Sequence, residues 1–132
     1  MVGEKDLETL LATMSPELGV EDYVFCTFPD ASYGDFSELN PLATICESEG
    51  LTLIISKTQA DSNNIEYESV FRRITLTIHS SLDAVGLTAA IADKLGQRGI
   101  SANVVAAFYH DHFFVQSDLA AEAMEALAEF SA

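Results

Sequence analysis

Leu7, Leu10, Leu11 and Met14 recur at helical spacing, so the first segment of the chain reads as a helix with one apolar face. Ser15-Pro16 ends it, because proline disfavours helical geometry in the residue before it. The short run Tyr23 to Phe28, "YVFCTF", is rich in β-formers and reads as a strand. Pro29 to Pro41 is turn chemistry, with Asp30, Ser32, Gly34, Ser37 and Asn40. After it, "ATICESEGLTLIISK" reads as a β-hairpin whose two runs are separated by Ser48-Glu49-Gly50. The polar "QADSNN" that follows is a short helix or a loop.

The second half carries clearer periodicity. In "FRRITLTIH", Ile74, Leu76 and Ile78 alternate with Arg73, Thr75, Thr77 and His79, the period-two pattern of a half-exposed strand. Ala84, Leu87, Ile91 and Leu95 then share a helix face, with Ser81 or Asp83 placed to cap its start and Gly96 and Gly99 to end it. "ISANVVAAFYH" reads as a long strand and "HFFVQ" as the next. Ser117-Asp118 opens a last helix with Ala120, Met124 and Leu127 on one side. From about Phe71 the order is therefore β-α-β-β-α. Both halves suit one-sided sheets covered by helices, an α+β layer architecture.

Charge narrows the partners. With 21 acidic and 6 basic residues among 132, the chain carries a formal net charge of −15. Such a field repels phosphate backbones and anionic membrane surfaces, so the reading is no nucleic acid and no membrane partner. The hydrophobic share of 48% marks a globular chain, and no apolar run reaches the ~20 residues that span a bilayer. The N-terminus lacks the basic and long apolar regions of a signal peptide, and the two cysteines, Cys26 and Cys46, form no C-x-x-C. A cytoplasmic location is expected. Both cysteines lie in strand-like runs, where the thiol behaves as a small hydrophobe; a disulfide between them stays open.

The stretch "LDAVGLTAAIADKLGQRGISANVV" resembles the ACT domain, a small regulatory module that binds amino acids. Asp83, Gly86 and Leu87 match the acidic residue, glycine and aliphatic residue before the family's helix, and Gly99, Ile100 and Asn103 match the glycine-isoleucine and strand start after it. Val85 stands where many members have proline. The whole chain is similar to small stand-alone bacterial tandem ACT-like proteins of unassigned function, and through them to the regulatory region of aspartate kinases. The resemblance implies a ferredoxin-like ACT architecture: two units, residues 1–66 and 67–132, each an antiparallel sheet with helices on one face. It also implies a β-α-β-β-α-β unit, and the second half lacks the closing strand, which a family-like pairing would draw from the first half, with "YVFCTF" as the candidate.

The resemblance places a ligand site on the loop Ser80, Ser81, Leu82, Asp83, Ala84, Val85, Gly86 and Leu87, with Ser101, Ala102 and Asn103 at the next strand start. The chemistry suits an amino acid. N–H groups at a helix start hold a carboxylate, Asp83 pairs with an ammonium, and Asn103 serves either. The plainer reading of the same residues is that Ser81 or Asp83 caps the helix and Gly86 merely packs.

"VVAAFYHDHFFV" offers His110, Asp111 and His112 as a metal or catalytic cluster. Two strands flank the tripeptide without spare residues, so it is expected to be the reversal of a hairpin, which splits the rings that a continuous strand would align. Neither metal ligands nor catalytic residues are assigned, and no cofactor is expected. Ser80 and Ser81 near His79 do not make a nucleophile and base, because adjacent strand residues face opposite sides. No G-x-S-x-G, Walker A or G-x-G-x-x-G occurs. Phe108, Tyr109, Phe113 and Phe114 are expected in a core or subunit contact. The expected function is a non-enzymatic, regulatory amino-acid-binding homo-oligomer, most simply a dimer. The alternative is a ligand-free structural or protein-interaction module acting with a separate enzyme.

Overall fold

The computed structural model of the chain describes residues 4–77 and 86–131. Its elements are α1 (Glu4–Thr13), β1 (Pro16–Phe28), β2 (Ala43–Glu47), β3 (Gly50–Ser56), α2 (Lys57–Ser62), β4 (Phe71–Leu76), α3 (Leu87–Gln97), β5 (Asn103–Ala106), β6 (Asp111–Gln116) and α4 (Ala120–Ala128). The strand order is β2-β3-β1-β4-β6-β5. The α+β, ferredoxin-like expectation holds. The chain divides into two compact units: residues 1–20 with 72–132, and residues 21–71. The long β1 strand contributes its first residues to one unit and the remainder to the other.

The first unit is built as β1-β4-β6-β5. Its strands arrive as β4, then α3, then the β5–β6 hairpin, then α4, and the closing strand beside β4 is the start of β1. This is the split β-α-β arrangement with its last strand taken from the beginning of the chain. The closing strand does come from the first half, but from Pro16–Val20 rather than from Tyr23–Phe28. The sequence there, "PELGV", contains the poor strand formers Pro16, Glu17 and Gly19, and it is held in part through backbone carbonyls. Arg72 Nε donates to the Gly19 carbonyl at 2.8 Å, and Thr77 donates from N and from Oγ1 to the Ser15 carbonyl at 3.3 and 2.7 Å. The core between sheet and helices holds Ile74, Leu76, Phe113 and Val115 from strands, Leu87, Ile91 and Leu95 from α3, and Ala123 and Leu127 from α4. Met14 is 2% exposed in this core, and Leu7, Leu10, Leu11 and Leu18 pack against it. The helical stripe of the N-terminal segment thus lines the core of the second half.

The second unit contains β2-β3-β1 and α2. The hairpin forms with a turn one residue shorter than the sequence suggests: Glu47 pairs with Gly50, the first residue of β3, leaving Ser48-Glu49 as a two-residue turn. Val24, Cys26, Leu39, Leu51, Leu53, Ile55 and Ala60 form its core. "QADSNN" resolves as the end of helix α2, which starts at Lys57 with the Ser56 hydroxyl accepting from the Gln59 N–H at 3.2 Å. Both cysteines are free. Cys26 is buried, which pushes its thiol pKa up, whereas Cys46 is exposed on β2, so the small-hydrophobe reading suits only the first. No helix among the described residues is long and apolar enough to cross a membrane.

Candidate functional site

The hairpin that carries the histidines reverses earlier than the sequence suggests. Val104 pairs with Phe113, Val105 with His112 and Ala106 with Asp111, so the loop is Ala107–His110, closed by the Ala107 N–H donating to the His110 carbonyl at 3.1 Å. His110 ends the loop, and Asp111 and His112 belong to β6. The strand-forming rings of Phe108 and Tyr109 make the tip look like strand, but the sheet register is set by Phe113 and Val115 entering the core. The four aromatic residues accordingly part company. Phe113 and Phe114 are buried, while Phe108 and Tyr109 are 69% and 67% exposed at the tip, edge to face at 5.0 Å.

His112 Nδ1 lies 2.9 Å from the Thr75 hydroxyl on β4. Burial, then the Arg73 guanidinium and His110, hold the His112 imidazole below the ordinary histidine range, with Asp111 opposing. Nδ1 of His110 is buried without a hydrogen-bond partner among the described residues. The folded state therefore takes up a proton at His112 less readily than the unfolded chain does. Its stabilising contribution is complete above the ordinary histidine pKa and is lost as pH falls through that value toward the lowered folded one. The expected outcome is a larger loss of melting temperature between pH 7.5 and 5.5 in the parent chain than in His112→Gln, which keeps a partner for Thr75. Differential scanning calorimetry at both pH values checks it; equal losses would remove His112 as a source of acid sensitivity. No group of three or more His, Cys, Asp or Glu among the described residues is placed to hold a metal ion.

Of the loop residues proposed to hold a ligand, Ser80, Ser81, Leu82, Asp83, Ala84 and Val85 lie outside the described residues. So do Ile78 and His79. Gly86 occupies the N-cap position of α3 with φ +91°, a left-handed conformation that suits glycine. The capping expectation changes here: the N-cap position belongs to a residue with no side chain, so it contributes no cap bond to the first-turn N–H groups. A Cβ at Gly86 would come 3.1 Å from Leu7 Cδ2, so what approaches this glycine within the chain is α1. Leu87 is buried in the core and presents only its backbone.

The other half of the site sits beyond the far end of α3. Ser101 donates from its N–H to Gln116 Oε1 at 2.9 Å. Ala102 packs against the core, and Asn103 opens β5, its Nδ2 donating to the Phe114 carbonyl at 3.3 Å. An eleven-residue helix is about 16 Å long. Gly86 and Asn103 bracket it, so they are not brought together within one unit. Close spacing in the motif does not become closeness in space.

A third feature escaped the sequence reading. In the second unit, Phe28, Pro29, Asp30, Ala31, Asp35, Phe36 and Glu38 line a shallow depression of about 400 Å³ that is open to solvent. Turn chemistry was legible in this segment, but nothing in it signalled a pocket.

Family models described as ACT domain match residues 2–72 and residues 68–129. No curated protein matches the chain. Among solved structures, a Vibrio cholerae protein of unknown function, described as a possible transport protein, is 52% identical, with a TM-score of 0.89 over 97% of this chain and 98% of its own. The ligand-free regulatory subunit of aspartate kinase from Thermus thermophilus aligns at a TM-score of 0.65 and 9% identity, over 89% of this chain and 97% of its own. Aspartokinase alpha and beta subunits align at 0.64 and 13% identity, over 90% and 98%. At such identities the two aspartate kinase alignments speak to the fold alone.

Proposed function

The chain belongs to the ACT-domain family, and from that membership we propose that it is a non-enzymatic regulatory protein whose ligand is an amino acid. Family membership supports a regulatory, ligand-binding role in general terms; the choice of an amino acid is our own. The observation that carries it is the start of α3. Gly86 leaves the N-cap without a side chain, and the helix N-terminus favours an anion such as the ligand carboxylate. Asp83 is the partner proposed for the ammonium. We keep Ser80 to Leu87 and Ser101 to Asn103 as the ligand-binding residues. Because α3 holds the two groups apart, a single amino acid touches both only if a second copy of the chain supplies one of them. A C2 dimer is the simplest assembly that does so.

In sequence order we read tandem ACT-like units at 1–66 and 67–132, supported by family matches that meet at residues 68–72. The location we propose is cytoplasmic. Thermal-shift screening against the amino acids tests the function. A ligand at a hundred times its dissociation constant adds about 2.7 kcal/mol of stability. Asp83→Asn should keep the fold and lower the affinity by roughly 1–3 kcal/mol, the loss of a charge-assisted hydrogen bond. Light scattering should return twice the 14.3 kDa monomer mass. If no amino acid shifts the transition, the second reading prevails, a partner-binding module without a ligand. The solvent-facing ring of Phe108 at the hairpin tip favours that reading.

A further inference from the structure

The depression of the second unit has a chemistry different from a carboxylate-binding helix start. It opens where β1 ends. Phe28, the last residue of β1, stacks on Phe36 with ring centres 4.1 Å apart and planes 23° from parallel. Phe36 reaches that position from a left-handed backbone, φ 66°, immediately before a single 3-10 turn, Ser37–Leu39. Leu39, 3% exposed, anchors the turn in the core of the unit.

The segment between the two rings is built rather than loose. The Ala31 N–H donates to the Phe28 carbonyl at 3.2 Å and the Asp35 N–H to the Ser32 carbonyl at 2.9 Å, while the Ser32 N–H donates to Asp35 Oδ2 at 2.8 Å. Around this aromatic and aliphatic surface stand three carboxylates, Asp30, Asp35 and Glu38. None of them belongs to the ion pairs found among the described residues, which join Lys57 to Asp61 and Lys94 and Arg98 to Glu129. The depression, about 400 Å³ and open to solvent, has room for a ring-sized body covered on one face only.

We propose that this pocket binds a small organic cation with an apolar body and no carboxylate of its own. The rings and Ala31 cover the body, and an ammonium held near aromatic faces and carboxylates gains from both. A net charge of −15 raises the local concentration of cations and works against any ligand that brings a negative charge. The selectivity is thus the reverse of that proposed for the start of α3, where a ligand carboxylate is required. The two sites share no residue, so either can fail alone.

Phenethylammonium is a suitable probe, titrated into the full chain and followed by amide chemical shifts. Saturable shifts confined to residues 28–38 are expected. Neutral 2-phenylethanol and zwitterionic phenylalanine, which share the aryl body, should bind there roughly tenfold more weakly or worse. Asp35→Asn with Glu38→Gln, which keeps the side-chain shapes and an acceptor for the Ser32 N–H, should weaken the ammonium by about tenfold or more, as loss of a charge-assisted bond does. The proposal is overturned if the alcohol or phenylalanine binds in the pocket as well as the ammonium, or if the double variant binds it unchanged. Shifts that centre on Gly86 and Leu87 instead, or no saturable shift at millimolar probe, overturn it equally.

Discussion

Residues 67–132 produced alone are expected to show no cooperative unfolding transition, whereas the same segment joined by a flexible linker to residues 1–20 regains one. The isolated segment keeps β4, α3, the β5–β6 hairpin and α4, which is most of an ACT-like unit. It loses Met14 from the core and the partly buried Leu7, Leu10, Leu11 and Leu18 around it. At about 1.5–3 kcal/mol for the fully buried Met14 and about half the lower figure for each leucine, the loss is on the order of 5 kcal/mol, comparable with the whole stability of a marginal domain. β4 also loses the neighbour that holds its Arg72 and the Thr77 that follows it, leaving a bare edge prone to association. A short linker suffices for the permuted chain, because α1 contacts the helical turn Glu129–Ser131. Urea titration followed by circular dichroism decides the matter. A cooperative transition in the isolated segment at micromolar concentration would show that the first twenty residues are dispensable to this unit.

The second large effect is expected at Gly50. This residue follows the Ser48-Glu49 turn with φ +146°, and a Cβ built on it would stand 2.7 Å from both the Phe28 carbonyl oxygen and Pro29 Cα. Both are backbone atoms, so no rotamer change relieves the overlap. Gly50→Ala combines an unfavourable backbone conformation, about 1–3 kcal/mol, with a steric conflict that moves the end of β1 or the start of β3. A destabilisation of about 3 kcal/mol or more is expected from urea titration of the variant. The displaced residues, Phe28 and Pro29, line the depression, so phenethylammonium binding should weaken alongside. A loss below about 1 kcal/mol would mean that the turn accepts the new side chain by a small shift, and that Gly50 is not what sets the approach of β1.

Several features were legible in the sequence because their causes are local. Ser15-Pro16 ends α1, the alternation of Ile74 and Leu76 marks β4, the face of Leu87, Ile91 and Leu95 marks α3, and Ser48-Glu49 forms the turn of the first hairpin. Each rests on backbone preference or on a period of two or 3.6 residues, which needs no knowledge of what lies across the fold. The glycines and aliphatic residues around α3 carried the resemblance to the ACT family, which the family models bear out.

What the tertiary structure alone decided is non-local. Glu17, Gly19, Glu21 and Asp22 do not look like strand, yet β1 runs through them, because hydrogen-bonded neighbours can hold a polar stretch extended. The same pairing assigns the first twenty residues to the unit of the second half. At the histidine hairpin, the propensity of Phe108 and Tyr109 for strand yielded to the register that buries Phe113 and Val115, since a one-residue slip would turn both away from the core. Gly86 and Asn103, both parts of one motif, ended up at opposite ends of α3. The pocket beside Phe28 and Phe36 exists only because Leu39 pins its loop in a core whose other members come from β1, β3 and α2. Spacing along the chain reports direction and periodicity. Which segments meet is set by burial and pairing across the whole fold, and that placed the closing strand, the hairpin register and the pocket.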